Sequence, residues 1–131
     1  MILDILILRT KKGGMFMVIQ RKEYLDKLIA FKDKQLIKVV TGIRRCGKST
    51  LLEIYQNWLL EHGIEKEQII SLNFEDIDFE ELTDYRKLYA YLKERLIPGK
   101  MTYIFLDEIQ HVEDFPKVVD SLYIKKNVDI Y

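Results

Sequence analysis

Residues 42–49 read Gly-Ile-Arg-Arg-Cys-Gly-Lys-Ser and follow the apolar run Leu36-Ile37-Lys38-Val39-Val40-Thr41. Beyond them, apolar residues recur at Leu51, Leu52, Ile54, Tyr55, Trp58 and Leu59, the spacing of one helix face. A buried strand must therefore pass into a helix through a loop framed by Gly42 and Gly47. With glycine at both ends the backbone can turn sharply and point successive N–H groups inward. It then enters a helix whose first turn has unpaired N–H groups and a partial positive charge. Such a concavity suits closely spaced anionic oxygens approached without side chains in the way. The segment is a full match to the phosphate-binding pattern GxxxxGK(S/T), so Gly42, Ile43, Arg44, Arg45, Cys46 and Gly47 are expected to wrap a nucleoside triphosphate. Lys48 would reach its β- and γ-phosphates, and the Ser49 hydroxyl would hold the bridging magnesium ion.

A loop of this kind works with a carboxylate at the end of a neighbouring strand. The apolar run Met101 to Leu106 closes on Asp107-Glu108, at the strand end where open α/β sheets bind ligands. Asp107 is the candidate metal carboxylate, and Glu108 the candidate base that orients or deprotonates the attacking water. Gln110 could position that water or relay nucleotide state. Arg44 and Arg45 could contact phosphate oxygens or act across a subunit boundary.

The rest of the chain supplies an α/β framework. A helix from Arg21 to Phe31 presents Tyr24, Leu25, Leu28 and Ile29. The helix after the phosphate loop is expected to stop near His62-Gly63, where glycine can take a left-handed cap. Gln68 to Phe74 forms a second strand, and the acidic stretch Glu75 to Asp84 reads as solvated loop. A helix over Asp84 to Ile97 sets Leu88, Leu92 and Leu96 four apart and ends at Pro98-Gly99. Another begins with Asp114 as cap and Pro116 in its first turn, with Phe115, Val118, Val119, Leu122 and Tyr123 on one face. Val128 to Tyr131 starts a fourth strand.

The pair of segments Gly-Ile-Arg-Arg-Cys-Gly-Lys-Ser-Thr-Leu-Leu and Tyr-Ile-Phe-Leu-Asp-Glu-Ile-Gln resembles the prokaryotic AAA+-type P-loop ATPases that share a GxRRxGKST loop and an LDEIQ strand end. The likeness runs from about Gln20 to Tyr131. It implies a three-layer P-loop NTPase sheet with flanking helices, strand order 5-1-4-3-2, and truncation in the fourth strand. It also implies Lys48, Ser49 and Thr50 at the phosphates and metal, Asp107 on the metal, and Glu108 as base. ATP is implied over GTP, in agreement with the absence of an Asn-Lys-x-Asp tetrad. Family members continue into a polar sensor, a helical lid and a further domain, through which a protein partner or self-association would act. The expected function is Mg-ATP binding with hydrolysis in the completed domain. The alternative from a different class is a non-catalytic ATP-binding fragment lacking the sensor and lid elements, and a P-loop kinase is a third, weaker reading.

Composition narrows the remaining classes. The chain of 131 residues is 48% hydrophobic and 32% charged, the balance of one globular domain. Its net charge is zero, yet residues 1–48 hold 12 Lys/Arg against 4 Asp/Glu and residues 49–131 hold 9 against 17. A polyphosphate near the basic part accounts for some of that asymmetry, and no basic-aromatic interleaving points to nucleic acid. The single cysteine, Cys46, excludes an internal disulfide and fits a reducing cytoplasm. One Cys and two isolated histidines, His62 and His111, make no zinc site at ligand spacing and read as surface residues. The apolar start, Met1 to Leu8, is too short to span a bilayer and lacks the flanks of a secretory signal. Codons for Lys12-Gly13-Gly14 can spell a ribosome-binding sequence. Residues 1–16 are accordingly expected to be a non-native or disordered leader ahead of Met17, or less readily Met15, with a short strand as the alternative. The ATPase domain is expected to begin at residue 17.

Overall fold

Alternation of apolar runs with helical periodicity dictates strands joined by helices, and the computed structural model has that form. It describes residues 2–7, 25–34, 37–42, 48–125 and 127–131. Two compact units divide at Ile64.

In the first unit, strand β1 (Ile2–Ile7) lies parallel to β2 (Ile37–Gly42), in a register that sets Ile2 beside Ile37 and Ile7 beside Gly42. Residues 2–7 are the segment for which the sequence offered a strand as the alternative to a leader. Parallel neighbours need a crossover, and helix α1, residues 25–30, falls between them in the chain with Leu28 fully buried. Arg21 to Tyr24, the expected start of this helix, lie outside the described residues. Helix α2 (Lys48–Glu61) buries Leu51, Leu52, Tyr55 and Leu59. Ile54 lies off that stripe, at 36% exposure, and Trp58 is half-buried, so the apolar face is narrower than its sequence suggests. The helix ends as expected. Gly63 takes φ +89°, and the Ile64 N–H reaches back to the Leu59 carbonyl at 3.1 Å, which satisfies a last-turn acceptor.

The second unit holds a parallel sheet in the order β5–β4–β3: β3 is Ile69–Asn73, β4 is Thr102–Asp107 and β5 is Val128–Ile130. This is the 4-3-2 portion of the order implied by resemblance. Thr102 through Leu106 are all buried, as expected of a strand with neighbours on both sides. Helix α3 (Tyr85–Glu94) starts on Asp84, whose carboxylate accepts the Arg86 N–H at 2.9 Å, and buries Leu88 and Leu92. It stops three residues short of Ile97. Helix α4 (Phe115–Tyr123) buries Val118 and Leu122, with Phe115, Val119 and Tyr123 half-buried beside them.

Two local expectations need correction. Glu75 to Asp84 is not irregular loop throughout: Ile77–Thr83 is a 3-10 helix whose cap, Asp76, accepts the Asp78 N–H at 2.9 Å, although none of its residues is buried. Asp114 precedes α4 but does not cap it with its side chain. Its backbone is left-handed, φ 61° and ψ 27°, whereas a side-chain cap needs an extended residue. Its carbonyl takes the Lys117 N–H at 3.0 Å instead.

The α/β class expected from the sequence is thus observed, with parallel strands and flanking helices in the manner of a P-loop NTPase. Among the described residues no helix is long and apolar enough to cross a membrane.

Candidate functional site

The predicted phosphate-loop residues belong to the first unit. Strand β2 ends at Gly42 and α2 opens at Lys48, so the chain does pass from strand to helix across five residues. Ile43, Arg44, Arg45, Cys46 and Gly47 lie outside the described residues. Lys48, Ser49 and Thr50 form the first turn of α2, which contains no acidic residue. Helix starts generally favour Asp or Glu, since these offset the positive end of the dipole. No acidic side chain offsets that end here.

The predicted carboxylates, Asp107 and Glu108, belong to the second unit. Asp107 is the last residue of β4 and pairs in register with Asn73, the last residue of β3. Its backbone is held firmly: its carbonyl accepts the Phe74 N–H at 3.1 Å, and the preceding Leu106 N–H donates to the Tyr131 carbonyl at 3.0 Å. The side chain is half-buried, with Oδ1 wholly enclosed. A hard oxygen donor on a rigid strand end fits a hard divalent cation.

Glu108 follows in the left-handed region, φ 58° and ψ 42°, a conformation that costs an L-residue with a long side chain. The chain then makes a 3-10 turn, Ile109–His111. Within it the Gln110 amide donates from Nε2 to Glu108 Oε2.

Two further residues arrive here that sequence spacing did not single out. Ligand atoms of Glu75, Glu108 and His111 lie within 4.8 Å of one another. Glu75 and His111 are exposed and Glu108 half-buried. Glu75 is placed by an Asx turn, its N–H donating to Asn73 Oδ1 at 3.0 Å. Because β3 and β4 run parallel, the residues leaving their carboxyl ends share one edge. The signal that could have found Glu75 is its place two residues beyond Asn73. His111 is a surface residue as expected, but not an isolated one. His62 is exposed at the end of α2, where its ring stacks on Trp58 at 3.9 Å and Nδ1 lies 2.7 Å from the Trp58 carbonyl.

A parallel α/β framework with a glycine-framed strand-to-helix passage and a carboxylate ending a second parallel strand defines a protein of the P-loop NTPase class. Comparison with known proteins gives the family. Residues 34–131 match the AAA domain family, and the chain belongs to it. An uncharacterized protein of Haemophilus influenzae is similar, with 40% identity over 114 residues that cover 86% of this chain. The chain spans 28% of the length of that relative. No solved structure matches.

Proposed function

We propose that the chain binds Mg-ATP and hydrolyses its γ-phosphate. The observation that carries this reading is the carboxyl end of β4, where Asp107 is backbone-clamped with one oxygen enclosed and Glu108 comes directly after it. Membership of the AAA domain family and the complete GxxxxGK(S/T) pattern support it.

In this reading Gly42, Ile43, Arg44, Arg45, Cys46 and Gly47 enclose the phosphates with backbone N–H groups. Lys48 and Thr50 bind phosphate oxygens, and the first turn of α2, free of acidic side chains, adds its dipole. Ser49 and Asp107 would hold Mg²⁺, which when bound offsets the charge on the phosphate oxygens. Glu108 accepts a proton from water as the water oxygen bonds to the γ-phosphorus. The bond from that phosphorus to the ADP oxygen breaks, and its electron pair leaves with ADP.

ATP is the nucleotide that membership of the AAA domain family favours. Protein-partner contacts, including self-association, are proposed to involve regions of the kind by which the Haemophilus influenzae relative exceeds this chain. The lone Cys46 suits a reducing, cytoplasmic setting.

ATP affinity in magnesium buffer tests the binding, and phosphate release tests the chemistry. Lys48→Ala should weaken ATP affinity by at least about tenfold through loss of charged contacts. Glu108→Gln should retain affinity and lower turnover by about 100-fold or more, as loss of a general base does. Wild-type binding with no turnover would instead indicate a non-catalytic nucleotide-binding module. Phosphoryl transfer to a small acceptor in preference to water would indicate a kinase.

A further inference from the structure

Glu108 is held by more than its own backbone. Gln110 donates from its side-chain amide to Glu108 Oε2, across a 3-10 turn closed by the His111 N–H on the Glu108 carbonyl at 3.2 Å. The far end of the turn is fixed too, since the Val112 N–H bonds to the Ile109 carbonyl at 2.9 Å and the Val112 side chain is buried. Gln110 thus projects from a short, anchored segment and not from a free loop.

The surroundings make a neutral donor useful. Glu75 brings a second carboxylate within 4.8 Å of Glu108, and like charges at that distance repel. A glutamate side chain has three rotatable bonds, so repulsion alone would spread it over several rotamers. An amide donor opposes that spread, carries no charge of its own and does not titrate.

We infer that Gln110 is a positioning residue for the hydrolysis proposed above. Its amide anchors one oxygen of Glu108 and so orients the other toward the attacking water. This rests on Glu108 acting as the base. Gln110 makes no contact with nucleotide in this scheme; it acts through Glu108, and its loss lowers turnover without lowering affinity.

The test compares the full wild-type chain with Gln110→Ala, the isosteric Gln110→Glu, Glu108→Gln, and the Glu108→Gln/Gln110→Ala double variant. Steady-state phosphate release, ATP affinity by calorimetry and thermal melting are measured for each. Loss of the anchor should lower kcat by about tenfold in Gln110→Ala. Gln110→Glu, which replaces the donor by a third negative charge, should lose more. The KM and ATP affinity of both should stay within about twofold of wild type. In the Glu108→Gln background, Gln110→Ala should have no further effect. If Glu108→Gln is inactive while both Gln110 variants keep wild-type kcat, this inference falls and the base assignment stands. A parallel fall in affinity and kcat, or an equal loss of kcat in the Glu108→Gln background, also overturns it. Full turnover by Glu108→Gln, or no turnover by the wild type, removes the base assignment itself.

Discussion

Thr102 gives the sharpest stability test. It opens β4, is fully buried, and its Oγ1 is enclosed without a hydrogen-bond partner among the described residues. Its backbone is well placed, with the N–H on the Asn127 carbonyl at 2.9 Å. The hydroxyl is therefore the one poorly served group of this residue. Leaving such a group buried and unsatisfied costs about 1–3 kcal/mol. Thr102→Val replaces it by a methyl of nearly the same size and keeps the β-branched shape that strands favour. The variant should be more stable by about 1–2 kcal/mol. With a urea slope of about 2 kcal/mol per molar, the unfolding midpoint should rise by roughly 0.5–1 M at unchanged slope. Thr102→Ser makes the opposite change, keeping the hydroxyl and deleting a buried methyl, and should lose about 1 kcal/mol. Circular dichroism of both in urea decides the matter. A midpoint that falls in Thr102→Val, with slope unchanged, would falsify the reasoning.

Other perturbations follow from single contacts. Tyr131→Phe removes the hydroxyl that donates to Asp129 Oδ2 at 2.7 Å; with both residues buried, unfolding free energy should drop by about 1.5–3 kcal/mol in the same urea assay. Gly63→Ala meets no atom within 4 Å, so only the left-handed backbone opposes it, and a loss of about 1 kcal/mol is expected; a stabilised variant would contradict the cap. Asp107→Asn should weaken ATP binding in magnesium but leave the weaker affinity measured in excess chelator unchanged, as titration calorimetry would show; equal loss in both buffers would argue against a metal ligand.

Local signals were legible wherever one residue's conformation decides the outcome. Gly63 ends α2, α3 starts at Asp84, and the apolar run before Asp107 is a buried strand, because each depends on near neighbours in the chain. Asp114 shows the limit of that logic. Its residue type suits a cap, but a positive φ turns its carboxylate away, and nothing in the sequence reveals φ. The acidic run from Glu75 hid a 3-10 helix for a related reason: its stability comes from backbone and Asx bonds, with no apolar face to set a period. Glu75 and His111 join Glu108 only through the register of β3 against β4. Sequence spacing carries no trace of a distance that a sheet creates. Helix α2 looked wider because Ile54 is apolar by type, yet it sits off the buried stripe.

The left-handed backbone at Glu108 carries a further implication for anyone who would evolve this domain in the laboratory. Glycine or asparagine adopts that conformation with less steric opposition than glutamate. A library randomised at this position and sorted purely for survival after heating should therefore enrich those two residues. On the role proposed for Glu108, the same sort would discard the base, so robustness and the proposed chemistry pull this position toward different amino acids.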